Sequence, residues 1–148
     1  MRKYIPKNAY LVPNNAVCVF KGVIYDVYQW QQKMYDGSFT TFEMLKRPDT
    51  LKVIAVHGSK IVITEQEQPG LGHFYDLPGG RHDREDEDEL DGAKRELVEE
   101  TGMSFRNWKL IYAKQPAPKI ESFFYIFIAT DLIATEVQNL DSGEKIIV

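Results

Sequence analysis

Hydrophobic positions follow a strand-like pattern along most of the chain, with one helical interval. Residues 17–32, VCVFKGVIYDVYQWQQ, are rich in β-branched and aromatic residues and predict extended structure. Asp36-Gly37 is a hairpin signal. Residues 38–45 then alternate, with Phe39, Thr41, Glu43 and Leu45 on one side and Thr40, Phe42 and Met44 on the other. These segments predict an N-terminal antiparallel β-hairpin. Residues 51–57 predict a strand, Gly58-Ser59-Lys60 a tight connection, residues 61–68 a returning strand, and residues 75–77 a short strand. From about 88 to 101 the period becomes helical. Leu90, Ala93 and Leu97 form one apolar stripe there, and Gly102 is a stop signal. Residues 108–114, 122–130 and 146–148 return to strand. Residues 1–15, with prolines and asparagines, read as an irregular arm. Strands, one helix, then strands predict an α+β fold with a mixed or antiparallel sheet, without regular βαβ alternation.

Composition narrows the class. A chain of 148 residues fits one domain with a sizeable core. Cys18 is its single cysteine, so no internal disulfide can form, which fits a reducing compartment. It lies in the apolar run 16–20 and is expected to be a small buried residue. The first residues lack the apolar core of a signal peptide, and no run reaches the length of a membrane helix. A cytoplasmic protein with no membrane partner is expected. The net charge of −4 is uneven: residues 79–103 hold ten acidic and four basic residues. No basic run or interleaved aromatic pattern points to a nucleic-acid duplex.

That acidic stretch carries the candidate chemistry. Glu96, Glu99 and Glu100 stand at i, i+3 and i+4, on one side of a helix. Like charges at that spacing repel, and an oxygen-rich cluster suits a hard cation such as Mg²⁺. A plain solvated acidic helix is the simpler alternative. A calcium loop centred on Gly92 is excluded, because its twelfth position is Val98 where a bidentate glutamate is needed. Just before the helix, Leu77-Pro78-Gly79-Gly80 is a turn that allows close backbone approach.

The stretch GGRHDREDEDELDGAKRELVEETGM resembles the signature of the Nudix hydrolases, G-x5-E-x7-R-E-U-x-E-E-x-G-U with U aliphatic. The match is complete from Glu87 to Met103. Between Gly80 and Glu87 there is one residue more than the pattern, an insertion in the loop before the helix. The resemblance implies a single Nudix domain over residues 1–148. Residues 1–47 would be arm and hairpin, and residues 48–148 a core with a mixed β-sheet flanked by helices. A final helix usual in the family is expected to be missing. The resemblance also implies the metal ligands Glu96, Glu99, Glu100 and the Gly79 carbonyl. Arg95 becomes their orienting partner, Glu87 an acid at the helix N-terminal side, and Glu144 the general base, with Asp141 and Glu121 behind it.

Residues 19–27, Asp36-Gly37, Arg47-Pro48 and residues 137–146 resemble the ADP-ribose and nucleotide-sugar pyrophosphatase branch. That branch places arginines where this chain has Glu65-Gln66-Glu67-Gln68. The implied activity is a Mg²⁺- or Mn²⁺-dependent pyrophosphohydrolase acting on a nucleoside diphosphate derivative. A nucleoside triphosphate pyrophosphatase and a non-catalytic nucleotide-binding domain stay open as alternatives. Tyr25, Tyr28, Trp30 and Phe74 are candidate surfaces for stacking a base. A hairpin rich in aromatics needs a surface to pack on, and the branch dimerises through its N-terminal strands, so a homodimer is expected.

Overall fold

Leu51, Val53 and Ala55 have no solvent exposure, and each alternates with a half-buried neighbour. They lie on β4 (Asp49–His57), the central strand of the computed structural model, which describes residues 2–148. β4 runs parallel to β11 (Phe124–Thr135), and β11 pairs antiparallel with β9 (Met103–Lys114). The sheet is therefore mixed. β5 (Lys60–Ile61) folds back on the end of β4, and β8 (Arg81–His82) pairs with its start.

The N-terminal segment holds three strands rather than two. β1 (Val17–Lys21), β2 (Asp26–Lys33) and β3 (Phe39–Lys46) form an antiparallel meander, and β10 (Ile120–Glu121) adds in parallel to β3. The expected hairpin is β2–β3. Residues 17–32 break at a turn, where the Gly22 N–H donates to the Tyr25 carbonyl at 3.0 Å. β1 is thereby an edge strand with all five residues exposed. Cys18 is exposed for that reason, against the expectation of burial.

A third sheet joins β12 (Lys145–Ile147), β6 (Thr64–Gln68) and β7 (Gly72–Asp76). The expected single strand over 61–68 is divided between β5 and β6. Val62 is buried and still follows β4, its N–H donating to the Ala55 carbonyl at 2.9 Å, whereas from Thr64 the chain pairs with β7 instead. His73 and His82 lie in β7 and β8.

The described residues contain a single α-helix, α1 (Glu89–Thr101). Asp88 caps it by accepting the Asp91 N–H at 2.9 Å. Gly102 ends it in the left-handed region, and its N–H returns to the Val98 carbonyl at 2.8 Å. Ala93 and Leu97 are fully buried in a core shared with Leu51, Phe105, Tyr125 and Phe127. Burying a leucine of this kind contributes about 1.5–3 kcal/mol. Leu90, on the same stripe, is only partly buried.

The arm is irregular but fastened. Glu89, with no solvent exposure, accepts the backbone N–H groups of Lys3 (2.8 and 2.9 Å) and Tyr4 (3.1 Å). Arg2 reaches Asp49 at 2.6 and 2.8 Å and Glu121 at 2.7 Å, and its guanidinium lies over the Phe123 ring at 4.4 Å. The Val12 N–H donates to Glu121 at 2.6 Å.

Candidate active site

Helical period places Glu96 and Glu99 on the side of α1 that opens on a cleft of about 950 Å³. The loop from Asp141 to Glu144 forms the facing rim. That loop is hung from the helix end: Asn139 N–H donates to the Glu99 carbonyl at 2.9 Å, and the Gln138 amide donates to the Glu100 carbonyl. Within the loop, the Asp141 N–H donates to Glu144 Oε2 at 3.2 Å. The sequence-predicted Glu96, Glu99, Arg95, Asp141 and Glu144 thus come together at one cleft. Glu121 does not: it is buried under the arm, held by Arg2, Val12 and Lys46. Burial alone would raise its pKa, but the Val12 N–H, Arg2 and Lys46 outweigh that and hold it below the usual glutamate value.

Arg95 organises the acids. Its Nη1 donates to Glu96 at 2.6 Å and to Glu99 at 2.9 Å, and its Nε and Nη2 face Glu87. The hydrogen bonds that the guanidinium donates to Glu87 raise its pKa above the ordinary value, against the cost of burial, and Glu96 adds to the rise. Arg84 also reaches Glu99, at 3.3 Å. Like charges at i, i+3 and i+4 are tolerated here because a guanidinium bridges the first two.

Glu100 lies behind this face, only 3% exposed. Its Oε2 accepts the Gly79 N–H at 2.7 Å. Burial pushes its pKa up to about 8; Gly79 and Lys52 pull it down, while Glu96 and Glu144 push it further up. Glu96 is likewise raised, first by burial, then by Glu99 and Glu144, with Arg95 opposing.

The glycine turn makes these approaches possible. Gly79 has φ +136°, and a Cβ there would lie 2.1 Å from the Leu51 carbonyl oxygen. A Cβ on Gly80 would lie 2.4 Å from Glu96 Oε2. Sequence reasoning missed Lys52. Its ammonium donates to Asp76 at 2.6 Å and approaches the Leu77 and Gly79 carbonyls at 3.3 and 3.4 Å. Its one signal was a lysine inside an otherwise apolar strand.

Tyr25, Tyr28, Trp30 and Phe74 do not line this cleft. Tyr25 lies beside it in an adjoining cavity, and Trp30 packs edge-on against Phe42 with ring centroids 5.9 Å apart.

The donors around Glu96, Glu99, Glu100 and Gly79 are all oxygens, without thiolate or imidazole, which fits a hard divalent cation. In the present arrangement no three acidic, histidine or cysteine side chains among the described residues converge on one point. Glu96 and Glu99 share Arg95, and Glu100 turns to the Gly79 N–H.

A mixed sheet, a glycine turn and a helix bearing Arg-Glu-x-x-Glu-Glu define a Nudix-type protein. The chain belongs to the Nudix family: the family model described as NUDIX domain matches residues 46–147. A relative from Bacillus subtilis (strain 168), an ADP-ribose pyrophosphatase, is 28% identical over 130 residues, spanning 85% of this chain and 70% of its own length. Among solved structures, an ADP compounds hydrolase superposes with a TM-score of 0.69 at 18% identity, covering 90% of this chain and 75% of that one. A MutT structure, from work on Aliivibrio salmonicida and Vibrio cholerae, gives a TM-score of 0.50 at 18% identity, covering 68% and 77%. At those identities the two structures speak for the fold. Among the described residues no helix is long and apolar enough to cross a membrane.

Proposed function

We propose that this protein is a divalent-metal-dependent pyrophosphohydrolase cleaving the diphosphate link of a nucleoside diphosphate derivative, of the ADP-ribose or nucleotide-sugar type. The observation that carries the reading is the acidic face of α1, bridged by Arg95 and open to a cleft with Asp141 and Glu144 on its far rim. The Bacillus relative supports the substrate class.

Glu96, Glu99, Glu100 and the Gly79 carbonyl are the groups proposed to hold Mg²⁺ or Mn²⁺. When bound, such an ion supplies charge neutralisation on phosphoryl oxygens and a lowered pKa for attacking water. The chain's own residues do the rest. Arg95 keeps Glu96 and Glu99 oriented. Glu144 takes the proton of the attacking water, and the Asp141 N–H holds its carboxylate toward that task.

The unit proposed is a single domain, with arm and strands through residue 47 and a core from 48 onward. The exposed apolar residues of the first strand and its turn, Val17, Val19, Phe20 and Val23, support a homodimer formed through this edge. The single cysteine supports a cytoplasmic setting.

The experiment is a product analysis over a nucleotide panel with Mg²⁺ and with Mn²⁺. Release of AMP and a sugar phosphate from ADP-ribose, or the matching pair from a nucleotide sugar, is the expected result. Pyrophosphate released from triphosphates alone, or binding without turnover, overturns it.

A further inference from the structure

Thr64, Gln66 and Gln68 stand two residues apart on one face of β6. Thr64 has no solvent exposure, Gln66 is only 3% exposed, and Gln68 reaches the cleft beside the acidic helix face. Their side chains are joined in series. The Thr64 hydroxyl donates to the Asp76 carbonyl at 3.0 Å. The Gln66 amide nitrogen donates to Thr64 Oγ1 at 2.7 Å, and the Gln68 amide nitrogen donates to Gln66 Oε1 at 3.3 Å.

The direction of this series is set at its inner end. A backbone carbonyl can only accept, so the Thr64 hydroxyl must give it its one proton. Toward Gln66 that hydroxyl can then only accept. Gln66 therefore turns its nitrogen inward and its oxygen outward, and Gln68 follows the same rule. A glutamine alone at a surface can present either end of its amide. Here two buried side chains choose, and Gln68 keeps its nitrogen on Gln66 and its oxygen for the cleft.

The surroundings narrow what meets that oxygen. Gln68 also borders a smaller cavity of about 340 Å³ with Ser142, Gly143 and Glu144. Lys145, on the rim of that cavity, faces Glu67 at 3.6 Å. This end of the cleft therefore offers acceptors, the Gln68 oxygen and the Glu144 carboxylate. Phosphate oxygens are acceptors too and gain nothing from them. A base finds no ring to stack on, because no aromatic side chain lines the cleft. A sugar hydroxyl has both the donor and the size for the place.

We infer that Gln68 is a specificity-determining residue: its outward oxygen accepts from a hydroxyl of the sugar beyond the substrate's diphosphate, and Thr64 and Gln66 act through it by fixing its orientation. The inference rests on the proposed substrate class and adds which half of the substrate the β6 side reads.

The test compares α,β-methylene ADP-ribose with α,β-methylene ADP by calorimetric titration at one fixed Mg²⁺ concentration. Neither probe can be hydrolysed at the bridge, and they differ by the terminal ribose, so the ratio of their dissociation constants reads that sugar. The proteins are wild type, Gln68→Leu, Gln68→Arg, Thr64→Val and Thr64→Ser. Wild type is expected to prefer the ribose-bearing probe. Gln68→Leu should cut the preference about five-fold, the value of one neutral hydrogen bond. Gln68→Arg should move the ratio toward ADP by about ten-fold or more, because a guanidinium donates to the terminal phosphate. Thr64→Val, outside the cleft, should move the ratio as Gln68→Leu does, while Thr64→Ser keeps the hydroxyl and the wild-type ratio. A purely structural role for Thr64 lowers the melting temperature and leaves the ratio alone. If Thr64→Val does not fold, the two Gln68 variants decide. A wild type without the preference overturns the inference, and so does an unmoved ratio in Gln68→Leu or in folded Thr64→Val. Should wild type turn over no nucleotide while the ratio still follows Gln68, the hydrolase reading falls and the sugar-facing amide stands.

Discussion

Arg95 grips Glu87 through two nitrogens, Nη2 to Oε1 at 2.7 Å and Nε to Oε2 at 3.1 Å. Glu87 precedes the helix cap and Arg95 lies two turns along, so the pair ties the loop to the helix. The third nitrogen, Nη1, stays available for Glu96 and Glu99. A single planar group therefore sets the positions of three carboxylates. A lysine keeps the charge but not the fork.

Arg95→Lys is expected to lower stability by about 1–3 kcal/mol, the value of charge-assisted hydrogen bonds at a partly buried site. Its kcat should fall by about 100-fold, since misplacement of the carboxylates costs alignment. Urea unfolding and steady-state kinetics read the two effects. A variant with wild-type kcat removes Arg95 from the organisation of the site.

Glu100 sets a pH signature for the metal-free protein. Its folded pKa, about 8, lies above the ordinary value of 4.5 because burial disfavours the anion. The folded state then binds more protons than the unfolded state between those values. Its contribution to stability is complete below the ordinary value and is lost as pH rises toward 8. In EDTA the melting temperature should decline across that window, and Glu100→Gln should flatten the decline. Added Mg²⁺ should offset it, because cation and proton compete for one carboxylate. An identical pH profile for Glu100→Gln and wild type would sink this assignment.

Glu89 fastens the arm. It is fully buried and accepts the Lys3 and Tyr4 amides. Glu89→Ala leaves those donors without their acceptor and should cost about 2–4 kcal/mol, from two or more hydrogen bonds to a charged group. Limited proteolysis should then cut within residues 2–12 while α1 stays protected. An arm that resists protease as wild type does would show that Arg2 alone holds it.

These contrasts mark what could be read from the residues. The helix, its Gly102 stop and its acidic face were legible because they depend on spacing within a few residues. The β2–β3 hairpin was legible through alternation and the Asp36-Gly37 turn. The fastened arm was not. Its partners lie far along the chain, 86 residues from Lys3 to Glu89 and 119 from Arg2 to Glu121. Lys52 was hidden for a like reason, since Asp76 and Gly79 meet it only once β4 and β7 are in place. Cys18 misled because an apolar run marks a buried strand only where a neighbour covers it, and β1 is an edge.

The two glycines of the turn should fail in different ways. On Gly79 a Cβ meets backbone, the Leu51 carbonyl oxygen at 2.1 Å, and φ is +136°. Neither the carbonyl nor the dihedral can yield without moving β4, the centre of the core. Gly79→Ala should therefore cost several kcal/mol, about 2–5, through overpacking and strain, and fold poorly. On Gly80 a Cβ meets the far end of a flexible side chain, the Glu96 carboxylate, with Oε2 at 2.4 Å. Glu96 can swing away, so Gly80→Ala should keep its fold, with a change in stability of about 1 kcal/mol or less. The displaced carboxylate is a proposed metal ligand, so the concentration of Mg²⁺ for half-maximal activity should rise about ten-fold or more. Circular dichroism melts alongside Mg²⁺ titrations separate the cases. A Gly80→Ala protein with wild-type metal dependence would remove Glu96 from the ligand set.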